Sequence, residues 1–72
     1  MDFAKRLFQA RTDKKLLQKD VAASIGVSVR QYMRYEKSEQ EPTLRVIIAL
    51  ADYFDVSIDY LVGRSETRER QP

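Results

Sequence analysis

Apolar residues recur three and four apart along this chain, with polar and charged residues filling the intervals, and no segment alternates long enough to make a strand. Helices are therefore expected throughout. Asp2 can cap a first helix that carries Phe3, Leu7 and Ala10 on one face and Lys5, Arg6, Gln9 and Arg11 elsewhere, ending near Thr12-Asp13. A second helix begins at about Gln18 and turns Val21, Ala22 and Ile25 toward the core before Gly26. A lone glycine after an apolar turn is the residue type expected where a positive backbone angle ends one helix and starts another. Ser28 can cap a third helix by accepting from the amide of Arg30 or Gln31, with Tyr32 and Tyr35 three apart on the inner face. After the polar loop Glu39-Gln40-Glu41-Pro42, Thr43 can cap a fourth helix, whose register of Leu44, Ile47, Ile48, Ala51 and Phe54 is the strongest period in the chain. Ser57 opens a short fifth helix carrying Ile58, Leu61 and Val62, and Gly63 marks its end. Phe8, Val46 and Tyr53 fall off the main stripes and are expected at the surface. Residues 64–72 contain no apolar residue and read as a disordered polar tail, which leaves residues 1–63 as the folded domain.

Length and composition narrow the function. The chain's 72 residues allow one domain, and 43% apolar with 33% charged residues suits a small soluble globule. It has neither cysteine nor histidine, which removes disulfides, Cys/His zinc sites, thiol nucleophiles and the commonest general base together. The acids are scattered over helix surfaces, so an enzyme is not expected, and no cofactor or small-molecule ligand is implied. Val46–Ala51 and Ala22–Val29, the longest apolar stretches, fall short of a membrane span. Met1-Asp2 opens with an acid rather than the basic segment of a signal peptide, so the expected location is the cytoplasm, at the nucleoid.

The net charge of +2 conceals an uneven distribution. Residues 1–38 balance to +5 and residues 39–63 to −4, with the tail returning +1. A basic half on a nearly neutral protein suits a partner that is negative on one side, nucleic acid first, with an anionic membrane or an acidic protein behind it.

Gln18 to Lys37 form one unit of twenty residues. Val21, Ile25, Val27, Tyr32 and Tyr35 are spaced to be buried, Ala22 is small where two helix backbones approach, and Gly26 sits in the turn between them. Two short helices packed at a steep angle require this arrangement, the helix-turn-helix pattern. Its second helix projects Val29, Arg30, Met33, Arg34 and Lys37 outward.

From about residue 3 to residue 63 the chain resembles the phage repressor and Cro type helix-turn-helix domains, the XRE family. The likeness rests on Arg11, on Gln18, on Ala22-x3-Gly26-Val27-Ser28 and on Arg34-Tyr35-Glu36. Pro42 and Val56-Ser57-Ile58-Asp59-Tyr60-Leu61 extend it. The resemblance implies an all-α, compact five-helix, lambda-repressor-like domain that binds near-palindromic operator DNA as a homodimer and regulates transcription. It places Val29, Arg30 and Arg34 where the family reads bases, and Gln18, Ser28 and Gln31 where it holds phosphates or neighbouring polar groups. Arg11 and Glu36 match a pair that bonds between the first and third helices. The chain departs at Leu17, where the family usually has a Ser, Thr or Asn cap, and at Lys15, where it frequently has glycine. Ser38-Glu39-Gln40-Glu41 replaces a loop that tends toward glycine and basic residues. An acidic loop repels phosphate, so backbone affinity is expected from Lys14, Lys15, Lys19 and Lys37.

Side-chain chemistry points the same way. Arg30 and Arg34, four apart, stand on one helix face, and each can offer two donors to the O6 and N7 of guanine. Val29 can pack on a thymine methyl, and Gln31 can bond a base or a phosphate. The expected function is a sequence-specific regulator, with repression by competition with polymerase as its mode. The alternative is a protein-interaction module of the same fold, antitoxin-like, whose basic helix meets an acidic partner.

Overall fold

The computed structural model describes residues 2–69, and among these it contains five helices and no strand. They are α1 (Phe3–Asp13), α2 (Gln18–Ile25), α3 (Val29–Glu36), α4 (Leu44–Phe54) and α5 (Ile58–Leu61). Three begin as their sequences require. The hydroxyls of Ser28, Thr43 and Ser57 accept from the amides of Gln31, Val46 and Tyr60 at 3.0, 3.2 and 3.0 Å. Each such cap contributes about 1 kcal/mol. The expected cap at Asp2 does not form: its side chain makes no capping bond, and only its backbone carbonyl engages the helix, accepting from Arg6 N at 3.0 Å. Leu17 likewise opens α2 without a side-chain cap.

All five helices end in the same way. The residue that leaves the helix takes a positive φ, and the amide after it bonds back five residues. The positive angles fall at Lys15, Gly26, Ser38, Asp55 and Gly63. The closing bonds run from Leu16 N to Arg11 O, Val27 N to Ala22 O, Glu39 N to Arg34 O, Val56 N to Ala51 O and Arg64 N to Asp59 O, at 2.7–3.1 Å. This turn satisfies carbonyls that a helix end leaves open and redirects the chain within two residues. Only two of the five positions are glycine, so Lys15, Ser38 and Asp55 hold a left-handed conformation against their Cβ atoms. At Gly63 the need is also steric: a Cβ there would lie 2.9 Å from the Asp2 backbone nitrogen, where the end of α5 meets the start of α1.

The core gathers Phe3, Leu7 and Ala10 of α1, Val21 and Ala22 of α2, and Tyr32 and Tyr35 of α3. Val46, Leu50, Ala51 and Phe54 of α4 join them, with Val56, Tyr60 and Leu61. Two expectations fail here. Leu44 and Ile48, assigned to the buried stripe of α4, are 68% and 42% exposed, while Val46, assigned to the surface, is 7% exposed. Residues 46–51 are apolar all round the helix, so periodicity does not choose a face; contacts with α2 and α5 do. On α5, Ile58 lies outside at 41% exposure and Tyr60 takes the inward place beside Leu61. Phe8 and Tyr53 are exposed as expected.

The lack of apolar residues after Gly63 reads as disorder, yet Arg64, Glu66, Thr67 and Arg68 have specific partners in the helical domain. Ser57 N donates to Arg68 O at 2.9 Å, Arg6 pairs with Glu66 at 2.9 Å, and Arg68 pairs with Asp13 at 2.8 Å. The guanidinium carbons of Arg6 and Arg68 lie 4.3 and 5.2 Å from the centre of the Tyr60 ring. Bonds from Arg68 and then Gln9 hold the Asp13 carboxyl below its ordinary pKa. Positions 70–72 of the expected tail, like Met1, lie outside the described residues.

The turn geometry makes a paired prediction. Lys15→Gly relieves a left-handed lysine and should raise stability by about 1 kcal/mol. Gly26→Ala, where nothing lies within 4 Å of the new Cβ, should lose about as much through backbone strain alone. Thermal denaturation with unchanged far-UV circular dichroism checks both; equal melting temperatures for the two variants would contradict it.

Candidate nucleic-acid interface

The outer face of α3 is positioned by a polar cluster at its inner end. Glu36, in the last turn, has its side chain 6% exposed, an expensive place for a carboxylate unless donors surround it. Four bonds reach it. Arg11 of α1 grips it side-on, Nε to Oε2 at 2.6 Å and Nη2 to Oε1 at 3.1 Å. Gln18, the first residue of α2, donates Nε2 to Oε1 at 3.1 Å, and the Tyr32 hydroxyl, one turn back on α3, donates to Oε2. Arg11 also spends Nη1 on the carbonyl of Leu16 at 2.9 Å, which ties in the turn between α1 and α2. Burial alone would push the Glu36 carboxyl up, but the bonds from Arg11, Tyr32 and Gln18 outweigh it and hold the pKa below the ordinary 4.5. Burial and the bond to Glu36 push the Tyr32 phenol up, so it stays a donor.

The expected Arg11–Glu36 pair is thus present within a larger cluster. Nothing in sequence spacing reveals that Gln18 shares this carboxylate, because the two residues are brought together only by the angle between α2 and α3. The Tyr32–Glu36 bond, one helical turn apart, is legible in principle.

With Tyr32 and Tyr35 held inward, α3 must present its other side to solvent. Arg30, Arg34 and Lys37 are exposed there, and Val29 is 40% exposed. Among the described residues none of the three cations has an ion-pair partner. Arg30, Met33, Arg34 and Lys37 line one shallow depression of about 230 Å³ together with Glu39. The presence of Glu39 in it is not readable from the sequence.

The remaining expected site residues divide. Lys19 is exposed on α2. The Ser28 hydroxyl is engaged as the cap of α3, at the surface. Gln18 and Gln31 are half-buried, and each commits one N–H inward, Gln18 to Glu36 and Gln31 to the Tyr35 hydroxyl at 3.1 Å. Among the described residues no group of three acids, histidines or cysteines is placed to hold a metal, and no helix is long and apolar enough to cross a membrane.

Two short helices joined through a left-handed glycine, the second displaying unpaired cations, define a helix-turn-helix protein, and the chain belongs to the helix-turn-helix family, whose sequence model matches residues 7–61. Among its relatives is the cryptic phage CTXphi transcriptional repressor RstR of Vibrio cholerae serotype O1. The two are 37% identical over 71 residues, covering 99% of this chain and 63% of RstR. The chain spans 57–63% of the length of the first four curated relatives it matches. In shape it is similar to the P22 c2 repressor in complex with a synthetic operator. The TM-score is 0.82 and the identity 28%, over 88% of this chain and 96% of that one. A transcriptional regulator from Listeria innocua gives a TM-score of 0.81 at 34% identity, over 85% of this chain and 57% of that one. The expected five-helix, lambda-repressor-like class is the one observed.

The cluster predicts acid sensitivity. A carboxyl whose pKa is lowered on folding contributes its full stability above its unfolded pKa and loses it as the pH falls from about 4.5 through the folded value. Wild type should therefore lose urea resistance between pH 7 and about pH 3 more steeply than Glu36→Gln. Arg11→Met, which leaves the carboxylate with uncharged donors only, should cost about 3 kcal/mol at pH 7. Parallel pH profiles for wild type and Glu36→Gln would count against the cluster.

Proposed function

We propose that this chain is the DNA-reading part of a transcriptional regulator, a repressor that competes with polymerase for a near-palindromic operator. Two copies, associated at least on DNA, set their α3 helices into successive major grooves about 34 Å apart. The observation that carries this reading is the row of cations along the exposed face of α3, without ion-pair partners among the described residues, on a fold similar to that of a repressor in complex with a synthetic operator. Arg30 and Arg34 donate to guanine O6 and N7, and Val29 meets a thymine methyl. Lys14, Lys15, Lys19 and Lys37 approach phosphates, joined by Ser28 and by whatever hydrogen-bonding capacity Gln18 and Gln31 retain beyond their internal bonds. The reading unit is residues 1–63, and the setting is the cytoplasm. No catalysis is proposed.

Selection from randomised duplexes at physiological salt, with wild type beside Arg30→Ala/Arg34→Ala, tests the proposal. An inverted repeat should be enriched by wild type and lost in the variant. Arg34→Ala alone should relax one base position, worth ~1–3 kcal/mol, whereas Lys37→Ala should weaken all duplexes alike and reduce the salt slope by about 1. Uniform loss for every sequence in both single variants would leave a basic surface without a code, the behaviour expected of a protein-interaction module.

A further inference from the structure

We propose that Glu39 sets the affinity threshold of this surface: it lines the same depression as the cations of α3, and its carboxylate opposes duplex phosphates and keeps affinity low until base contacts make up the difference. The inference rests on the major-groove reading above.

Local geometry puts Glu39 there. After the cap at Lys37, Ser38 takes φ 60°, and two backbone bonds close the turn, Ser38 N to Tyr35 O at 3.3 Å and Glu39 N to Arg34 O at 2.9 Å. The chain is folded back over the last turn of α3 instead of running on from its end. Glu39 thereby lines the depression that Arg30, Met33, Arg34 and Lys37 line. Among the described residues Glu39 has no ion-pair partner, so its charge is not spent on any one cation. It acts on whatever enters the depression.

Glu41 provides the contrast. It carries the same charge two residues on, and in a reading of loop composition the two acids are equivalent. In the structure Glu41 lines a different hollow, with Phe3, Ala4, Tyr35, Gln40 and Pro42, between α1 and the loop before α4. At physiological salt, charges interact over about 8 Å, so an acid that lines the reading surface feels phosphates more strongly than one that lines the other hollow.

The consequence is a threshold on occupancy, with base preference unchanged. A duplex without the right bases binds through its phosphates alone, and repulsion at Glu39 weakens that binding directly. A duplex with the right bases bears the same repulsion but has the donors of Arg30 and Arg34 to offset it. At a fixed protein concentration, unspecific occupancy disappears first.

The test compares wild type, Glu39→Gln and Glu41→Gln on a scrambled duplex and on the duplex selected by wild type, across ~50–200 mM salt. Urea midpoints confirm that both near-isosteric variants fold like wild type. Glu39→Gln should bind the scrambled duplex roughly threefold tighter at the low-salt end, the factor for one charge ~6 Å from a phosphate in water. Its salt slope should steepen by up to about 1, and its base preferences should be those of wild type. Glu41→Gln should show less than half of that gain. Equal effects of the two variants would overturn the placement of Glu39, and a loss of affinity in Glu39→Gln would make its carboxylate a favourable contact, overturning the proposal. If wild type selects no duplex at all, the major-groove reading fails and this inference with it.

Discussion

The Glu36 carboxylate is the point at which the first three helices are locked together. Removing a carboxylate from water is costly, and the cost is met here only because a guanidinium from α1, an amide from α2 and a phenol from α3 converge on its two oxygens. Hydrophobic contacts between short helices are tolerant of rotation, since an apolar stripe packs over a range of angles. A side-on arginine–carboxylate grip is not. Once it forms, the last turn of α3 is fixed against α1, and Tyr32, which donates to the same group, is turned inward with it. The outward direction of Arg30, Arg34 and Lys37 follows from that inward commitment. The exposed face of α3 is thus aimed by a cluster on the far side of the helix.

The turns complete the arrangement. Every helix ends in a left-handed residue followed by a bond back across the final turn, so each change of direction is compact and fully hydrogen-bonded. Two of these turns shape the candidate interface. The one at Gly26 leads within two residues to Ser28 and the start of α3, and the one at Ser38 brings Glu39 back onto the face that α3 exposes. In the second, a serine holds a conformation that glycine adopts without strain. Its hydroxyl has no part in the backbone bonds that aim Glu39, so the same redirection would be available to other residues at this position.

The segment after Gly63 shows how little composition says about polar contacts. Its six described residues bring no apolar side chain, but Glu66 and Arg68 meet Arg6 and Asp13 on α1, and Arg6 and Arg68 flank the Tyr60 ring. Exposed ion pairs of this kind contribute little individually. The ring is different, because aromatic faces attract cations and Tyr60 is only 5% exposed, a member of the core. A buried tyrosine near the end of the last helix thereby becomes a docking point for a segment that has no hydrophobic reason to dock.

Much of this protein was legible residue by residue. Helix starts at Ser28, Thr43 and Ser57, the glycine turn at residue 26, the inward pair Tyr32 and Tyr35, and the outward row of Arg30, Arg34 and Lys37 all follow from interactions that span five residues or fewer, which a linear pattern records faithfully. The Arg11–Glu36 pair was reachable only through resemblance to a family, since a separation of 25 residues carries no periodic signal. What tertiary structure alone decided is of another kind. It chose Val46 and Leu50 over Leu44 and Ile48 on a helix apolar on nearly every side, and it joined Gln18 to a carboxylate eighteen residues away. In each case the deciding neighbour comes from another element. Local sequence sets what a residue prefers, whereas the angle at which helices meet sets what it touches.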